Sequence, residues 1–268
     1  MTRVAVIGAG VMGEALVSGL LRATWSSDDI VVADRRDFRR AEMAAAHGVR
    51  ATGNAEAASE ADTVILVVKP QDVGAVLPEI ASVLKPGTLV VSLCAGVTTA
   101  QLESHLPDGT AVVRVMPNTP ALVGEGMAAV SAGTSASEAD VAHAMELMTA
   151  LGKAITVPEA YQDAVTAISG SGPAYLFFVV EAMIDAGVML GLPRDISAAL
   201  VKQTVFGSAK LLIESGQHPT VLREQVTSPG GTTAAALRQL EDHRVKAAFI
   251  TAMEAARDRS RELAPPAG

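Results

Sequence analysis

Val4-Ala5-Val6-Ile7-Gly8-Ala9-Gly10-Val11-Met12-Gly13 is an apolar, β-branched run that feeds a glycine turn, and Glu14 to Arg22 continues it as a helix-forming segment. The spacing G-x-G-x-x-G gives each glycine a task. Gly8 allows the tight turn, Gly10 lets backbone approach a pyrophosphate, and Gly13 lets the helix pack closely on the strand. The N-terminus of that helix then faces the phosphates, with Val11 and Met12 in the turn before it, and its unpaired N–H groups and partial positive charge make an anion site without a charged side chain. A strand before the motif and a helix after it are the context that a dinucleotide-binding unit requires. Glycine turns of this kind also serve packing alone, and the context weighs against that.

Ile30-Val31-Val32-Ala33 forms a second short strand ending at Asp34, twenty-one residues beyond Gly13. At that distance the fold reads the adenosine ribose. Asp34 suits the free 2′-hydroxyl of NAD. The guanidiniums of Arg35, Arg36, Arg39 and Arg40 directly after it suit a 2′-phosphate better. The expectation is NADP(H), with NAD(H) as the second choice and Arg35 and Arg36 as the phosphate partners.

Thr63 to Val68 is a continuous apolar run of the kind a parallel strand needs when both its faces are covered, and Thr88 to Leu93 and Ala111 to Val115 repeat it. Their carboxyl ends, where such sheets bind ligands, carry Val68-Lys69-Pro70, then Cys94-Ala95-Gly96, then Met116-Pro117-Asn118. This puts a cation, a small-residue turn and an amide on one rim. Cys94, the one cysteine, reads as a packing residue at the end of a buried strand. Met127 to Ala132 and Ala154 to Val157 are expected as shorter closing strands, with a helix from Glu138 to Leu151 between them.

Beyond Pro158 the strand signal stops and six helical segments follow, so the expected division is a dinucleotide-binding domain over 1–157 and a helical domain over 158–268. The fold class is α/β, a Rossmann-type parallel sheet followed by an all-helical part. The segment Ala174 to Leu190 is apolar almost all round, which in so small a domain implies packing against a second subunit. That run approaches the length of a membrane span, but Glu181 and Asp185 lie four apart on one face, so a buried soluble helix is expected. The last five residues, Ala264 to Gly268, are expected to fray.

Composition narrows the partners. The net charge of −8 argues against nucleic acid and anionic membrane surfaces, which select basic faces, and 3% aromatic residues are too few for base stacking. A single cysteine excludes an internal disulfide, and the N-terminus enters a strand with no basic-then-apolar leader. A cytoplasmic enzyme with a small-molecule substrate and no metal is the expectation.

The helical part holds two glycine-rich turns. Ser169-Gly170-Ser171-Gly172-Pro173 lacks the lysine of a phosphate loop and reads as a helix start, with Pro173 in the first turn. In Thr227-Ser228-Pro229-Gly230-Gly231-Thr232-Thr233, hydroxyls and bare N–H groups meet at a helix N-terminus, the arrangement that holds a carboxylate. Plain capping by Ser228, Thr232 or Thr233 is the competing reading, and no Glu or Gln three residues on completes a capping box.

Taken together, Gly8 to Gly13, Val68-Lys69-Pro70-Gln71, Met116-Pro117-Asn118-Thr119-Pro120, Ser169 to Tyr175 and above all Ser228-Pro229-Gly230-Gly231-Thr232-Thr233 resemble the Δ1-pyrroline-5-carboxylate reductases over nearly the whole chain. The resemblance implies an N-terminal Rossmann domain and a helical domain that interlocks with its twin in a homodimer, with a ring of five dimers as the larger assembly. It implies that Thr233 contacts the substrate as the catalytic hydroxyl, with Ser228, Gly231 and Thr232 around the carboxylate. Asn54, Lys69 and Asn118 would lie along the dinucleotide, with Val68, Pro70, Ala95, Gly96 and Met116 beside them. Asp34 departs from the small polar residue many members carry there.

The implied reaction is reduction of a cyclic C=N bond to L-proline. A hydroxy-acid dehydrogenase needs a Lys or His base, and in the β-hydroxyacid branch a Lys on the first long helix of the second domain. Ala154 to Val201 contains neither Lys nor His. A protonated imine already attracts hydride and needs orientation, a held carboxylate and one hydroxyl donor at the ring nitrogen. A β-hydroxyacid-type dehydrogenase and a catalytically silent NADP sensor are the alternative readings.

Overall fold

The computed structural model describes residues 3–263, so the tail from Ala264 to Gly268 lies outside the described residues. One compact unit runs through Ser171 and is rejoined by the end of the last helix from Ala256; the other spans Gly172–Ala255.

The first unit is built on an eight-stranded sheet in the order β3-β2-β1-β4-β5-β6-β7-β8. In chain order its elements are β1 (Val4–Ile7), α1 (Val11–Arg22), β2 (Ile30–Ala33), α2 (Asp37–His47), β3 (Arg50–Thr52), α3 (Asn54–Glu60), β4 (Thr63–Leu66), α4 (Val73–Ala81), β5 (Leu89–Ser92), α5 (Thr99–Glu103) and β6 (Ala111–Met116). Then come β7 (Gly126–Ala132), α6 (Glu138–Thr149), β8 (Gly152–Thr156) and the short α7 (Gln162–Val165). A π-helical turn over Thr166–Gly170 continues α7 and closes with the Ser171 N–H donating to the Thr166 carbonyl at 2.8 Å.

Every sheet pairing is parallel except β6 with β7. The exception has a chain-length cause. A parallel return needs a crossover of a dozen or more residues, usually a helix, and β6 reaches β7 through little more than the turn at Thr119–Val123. The helix α6 then provides the crossover that makes β8 parallel to β7. Alternation along the strands splits the core between the two faces. Val4, Val6, Val32, Ile65, Val91 and Val113 pack with Leu16 and Leu20 of α1 and Leu147 of α6. On the other face Ala5, Ile7, Val31, Val64, Leu66 and Val90 pack with Leu77 and Ile80 of α4 and Leu102 of α5. Burial on both faces explains why these strands are near-continuous apolar runs.

Arg114 is the charged side chain inside this sheet, buried on β6. Its Nη1 donates to Glu159 at 3.1 Å, and Glu159 also accepts from the N–H and hydroxyl of Thr99. The guanidinium is thereby paired, as burial of a charge requires.

The second unit contains α8 (Gly172–Met189), α9 (Arg194–Ser215), α10 (Pro219–Gln225), α11 (Thr232–Asp242) and the first part of α12 (Val245–Leu263). Gly187 lets α8 and α9 cross closely, since a Cβ there would sit 2.1 Å from the Ser197 hydroxyl, which donates to the Ile184 carbonyl. Asp185 pairs with Arg194 at 2.9 Å. No residue of α8 is buried and only Ser197 and Val201 of α9 are. Phe177 and Phe178 are 65% and 71% exposed. The segments Glu159–Met189 and Arg194–Ser215 are long and apolar enough to cross a bilayer by length and composition, yet Glu181, Asp185, Lys202 and Lys210 interrupt them.

Candidate active site

The strand order reverses at β1 and β4, and the crevice outside the carboxyl ends at such a switch point is where open α/β sheets bind ligands. A cavity of about 350 Å³ lies there. Gly8 has φ +112°, and a Cβ on it would meet the Val67 carbonyl oxygen at 2.5 Å. A Cβ on Gly13 would lie 2.0 Å from the Gly8 oxygen, so α1 starts hard against the turn. Gly10 differs, because a Cβ there meets nothing within 4 Å. It faces open space as N-cap of α1, and no side chain caps the first-turn amides of Val11, Met12 and Gly13. A dinucleotide's pyrophosphate fits this cradle in room, charge and donor geometry.

Gly8, Gly10, Asp34, Arg35, Arg36, Asn54, Val68 and Lys69 all line the cavity. Asp34 accepts at Oδ2 from the Ala9 N–H at 3.0 Å and from Arg36 Nη2 at 3.0 Å, and at Oδ1 from the N–H and Nε of Arg36, each at 2.9 Å. Burial raises the Asp34 pKa, but the Arg36 and Ala9 donors outweigh it and bring it to about 2. Arg35 reaches Asp72 at 3.6 Å. Asn54 donates to Glu79 at 2.9 Å. The Lys69 ammonium is exposed and makes no ion pair among the described residues.

Pro70, Ala95, Gly96, Met116 and Asn118 follow or end β4, β5 and β6 on the same carboxyl edge but do not line this cavity. Asn118 is engaged internally, accepting from the Met127 N–H at 2.8 Å and donating to the Ser169 carbonyl at 3.2 Å. Cys94 is buried and desolvation pushes its thiol pKa up, so packing describes it. Sequence reasoning missed the wall formed by Asp72, Ala75, Val76 and Glu79 from α4 and the turn before it. The apolar spacing of Val73, Leu77 and Ile80, all buried, is the signal that would have placed that helix. Arg39, read from the sequence as part of a guanidinium cluster for a 2′-phosphate, instead donates from Nε to the Ala9 carbonyl at 2.6 Å while its Nη2 pairs with Glu14. Among the described residues no group of three His, Cys, Asp or Glu side chains is placed to hold a metal ion.

In the second unit the Gly231 N–H donates to the Ser228 carbonyl at 3.0 Å, and Gly230 takes φ +69°. Proline then glycine at the centre of such a turn matches their φ preferences. Gly231 is the N-cap of α11 in extended conformation and no side chain caps the helix. Thr232 and Thr233 are therefore the first two helical residues, and neither fills the capping role the sequence left open. The hydroxyls of Ser228, Thr232 and Thr233 make no hydrogen bond among the described residues. Free N–H groups and three free hydroxyls surround one helix start, which suits a carboxylate with a hydrogen-bond-accepting neighbour.

A doubly wound sheet with a glycine-turn cradle at its switch point, coupled to a helical part, defines a dinucleotide-dependent oxidoreductase. Residues 159–263 match the family model described as pyrroline-5-carboxylate reductase dimerisation, and residues 3–96 match NADP oxidoreductase, coenzyme F420-dependent. The pyrroline-5-carboxylate reductase of Corynebacterium melassecola is 45% identical over 267 residues, covering 98% of this chain and 99% of that one. The solved structure of a pyrroline-5-carboxylate reductase from Coxiella burnetii superposes with a TM-score of 0.94 at 36% identity, covering 98% and 99% of the two chains. The Plasmodium falciparum pyrroline carboxylate reductase, solved with NADP bound, gives 0.87 at 32% identity over 98% of each chain. The chain belongs to the pyrroline-5-carboxylate reductase family.

Proposed function

We propose that this chain reduces the C=N bond of Δ1-pyrroline-5-carboxylate to L-proline with NADPH, and with NADH as the second choice. The observation that carries the reading is the uncapped start of α11, where the Thr233 hydroxyl has no hydrogen-bond partner among the described residues. The Gly231 N–H expected to join them is spent on the Ser228 carbonyl, so the first-turn N–H groups of Thr232 and Thr233 and the Ser228 hydroxyl hold the substrate carboxylate, using the helix's partial positive charge. Thr233 donates a hydrogen bond to the lone pair of the neutral imine nitrogen, which polarises the C=N bond, makes its carbon electrophilic and meets the negative charge that develops on nitrogen as the carbon is reduced. When bound, the reduced nicotinamide supplies the hydride; the product amine takes its proton at nitrogen through the Thr233 hydroxyl, which solvent reprotonates. The chain itself orients the groups, which is most of what an imine reduction asks of a protein.

On the dinucleotide side, the Gly8–Gly13 turn with Val11 and Met12 takes the pyrophosphate, Arg35 and Arg36 take the 2′-phosphate beside Asp34, and Asn54 with Val68, Lys69 and Pro70 borders the adenosine half. Ala95, Gly96, Met116 and Asn118 extend the edge toward the nicotinamide. The functional division is 1–157 for the dinucleotide and 158–268 for substrate and dimerisation, supported by the last strand ending at Thr156. The exposed apolar residues of α8 and α9 support a homodimer built on these helices, with a ring of five dimers as the larger assembly, and the acidic composition supports a cytoplasmic location. Sedimentation of a lone, active monomer at micromolar concentration would remove the dimer.

The decisive assay mixes purified protein with pyrroline-5-carboxylate and either cofactor and follows loss of reduced-nicotinamide absorbance. Substrate-dependent oxidation with proline as product is expected. Cofactor binding without turnover would leave a silent sensor, and turnover with 3-hydroxy acids instead would leave a dehydrogenase.

A further inference from the structure

A carboxylate has about four acceptor positions, and those of Asp34 are filled by three donors of Arg36 and the Ala9 N–H. A ribose 2′-hydroxyl that sought Asp34 would have to displace the Arg36 fork from a buried partner. Arg39 and Arg40 are not substitutes. Arg39 is committed to the Ala9 carbonyl, Glu14 and Glu42. Arg40 is committed to the Asp34 carbonyl and Asp37, each at 2.6 Å. In Arg36 the fork uses Nε and Nη2, so Nη1 stays available, on a side chain 45% exposed at the cavity wall. The Phe38 ring, 5.6 Å from Cζ, backs the guanidinium plane and limits where it can swing.

We propose that Arg36 sets the choice between the two cofactors from both sides: its fork occupies and neutralises the carboxylate that a 2′-hydroxyl would use, and its free Nη1 meets a 2′-phosphate. Asp34 is then a positioning residue for Arg36 and not a ribose ligand, opposite to what an acidic residue at the end of β2 suggests by itself. The low pKa of Asp34 is consistent with this, since the carboxylate stays charged and paired throughout the physiological range. The inference rests on the nicotinamide-cofactor reading above.

The experiment measures dissociation constants of NADPH and NADH by nicotinamide fluorescence, and of 2′,5′-ADP and AMP by calorimetry, for the wild type, Arg36→Ala, Arg36→Lys and Arg35→Ala. Arg36→Ala should weaken NADPH and 2′,5′-ADP by about ten- to a hundredfold, as expected for a lost charge-assisted bond plus an unmasked carboxylate. The same change should tighten NADH and AMP by roughly threefold or more, because Asp34 becomes free to accept. Arg36→Lys keeps the charge without the fork and should lose less NADPH affinity while still gaining NADH affinity. Arg35→Ala should weaken NADPH without tightening NADH. If Arg36→Ala and Arg36→Lys weaken NADPH and leave NADH unchanged or weaker, Arg36 is an ordinary phosphate ligand and the proposal is overturned. Wild-type protein that binds none of the four probes would overturn the cofactor reading itself, and this inference with it.

Discussion

Two helices of this molecule begin in nearly the same way and are surrounded very differently. At α1 the N-cap is Gly10 and at α11 it is Gly231, both extended, and neither helix has a side-chain cap. Around α1 the precision comes from backbone alone, with Gly8 wedged under the Val67 carbonyl and Gly13 against Gly8. Around α11 it comes from side chains, because Ser228, Thr232 and Thr233 place three hydroxyls at the helix start. A pyrophosphate needs only N–H donors and a positive end, whereas an imine acid also needs a donor that can face its nitrogen. On the assignment proposed above, the same anion device serves binding in one place and chemistry in the other.

The sharpest way to break the comparison is at the backbone-built start. Gly13→Val puts a β-branched side chain where even a Cβ would stand 2.0 Å from the Gly8 oxygen, and Gly8 is itself held by its N–H to the Ala33 carbonyl at 2.7 Å. We expect loss of NADPH binding together with destabilisation of about 3 kcal/mol or more, read by calorimetry and denaturant melts. Normal affinity and stability would show that the contact relaxes freely.

The side-chain-built start should respond in kinetics and hardly in stability. Thr233→Val preserves shape and should lower kcat by roughly ten- to a thousandfold, the range for one positioned donor, with substrate binding changed less. Ser228→Ala should instead raise KM for the substrate more than it lowers kcat. Full kcat in Thr233→Val would assign proton delivery elsewhere and leave the two helix starts equivalent.

The smallest effect concerns acid stability of the turn around α1. The folded pKa of Asp34 lies below its ordinary value, at about 2 against 3.8, so its contribution is fully present above about pH 4 and is lost as pH falls toward 2. Asp34→Asn should flatten the stability-versus-pH slope in that window and leave the slope above pH 5 as it was. An unchanged acid slope would show that Arg36 and Ala9 hold the carboxylate no better in the folded chain than water does in the unfolded one.

Which parts were legible in sequence follows from how local their physics is. The motif from Gly8 to Gly13 and the doubly buried runs at Val4, Thr63, Leu89 and Ala111 announce themselves because steric fit and two-sided burial act residue by residue. The edge strand Arg50–Thr52 is three residues long and only partly covered, and α3 is short and polar, so neither leaves a strong pattern. The antiparallel turn of β7 depends on connection length, not composition. Asp34 and Arg36 looked like rival cofactor ligands because their pairing is a matter of side-chain direction. At Ser228–Thr233 the hydroxyl cluster was visible, but that Gly231 caps the helix and leaves the threonines unpartnered required the backbone.

The bare flanks of α8 and α9 carry one more consequence, for the energetics of the protein in solution. In the homodimer proposed above, α8, which buries no residue within its own fold, draws the stability of that unit from association, so the folded state is favoured by mass action. Melting temperature then rises with protein concentration, dilution is a denaturing condition, and a change at Phe177 or Phe178 acts on the unfolding equilibrium of two chains at once.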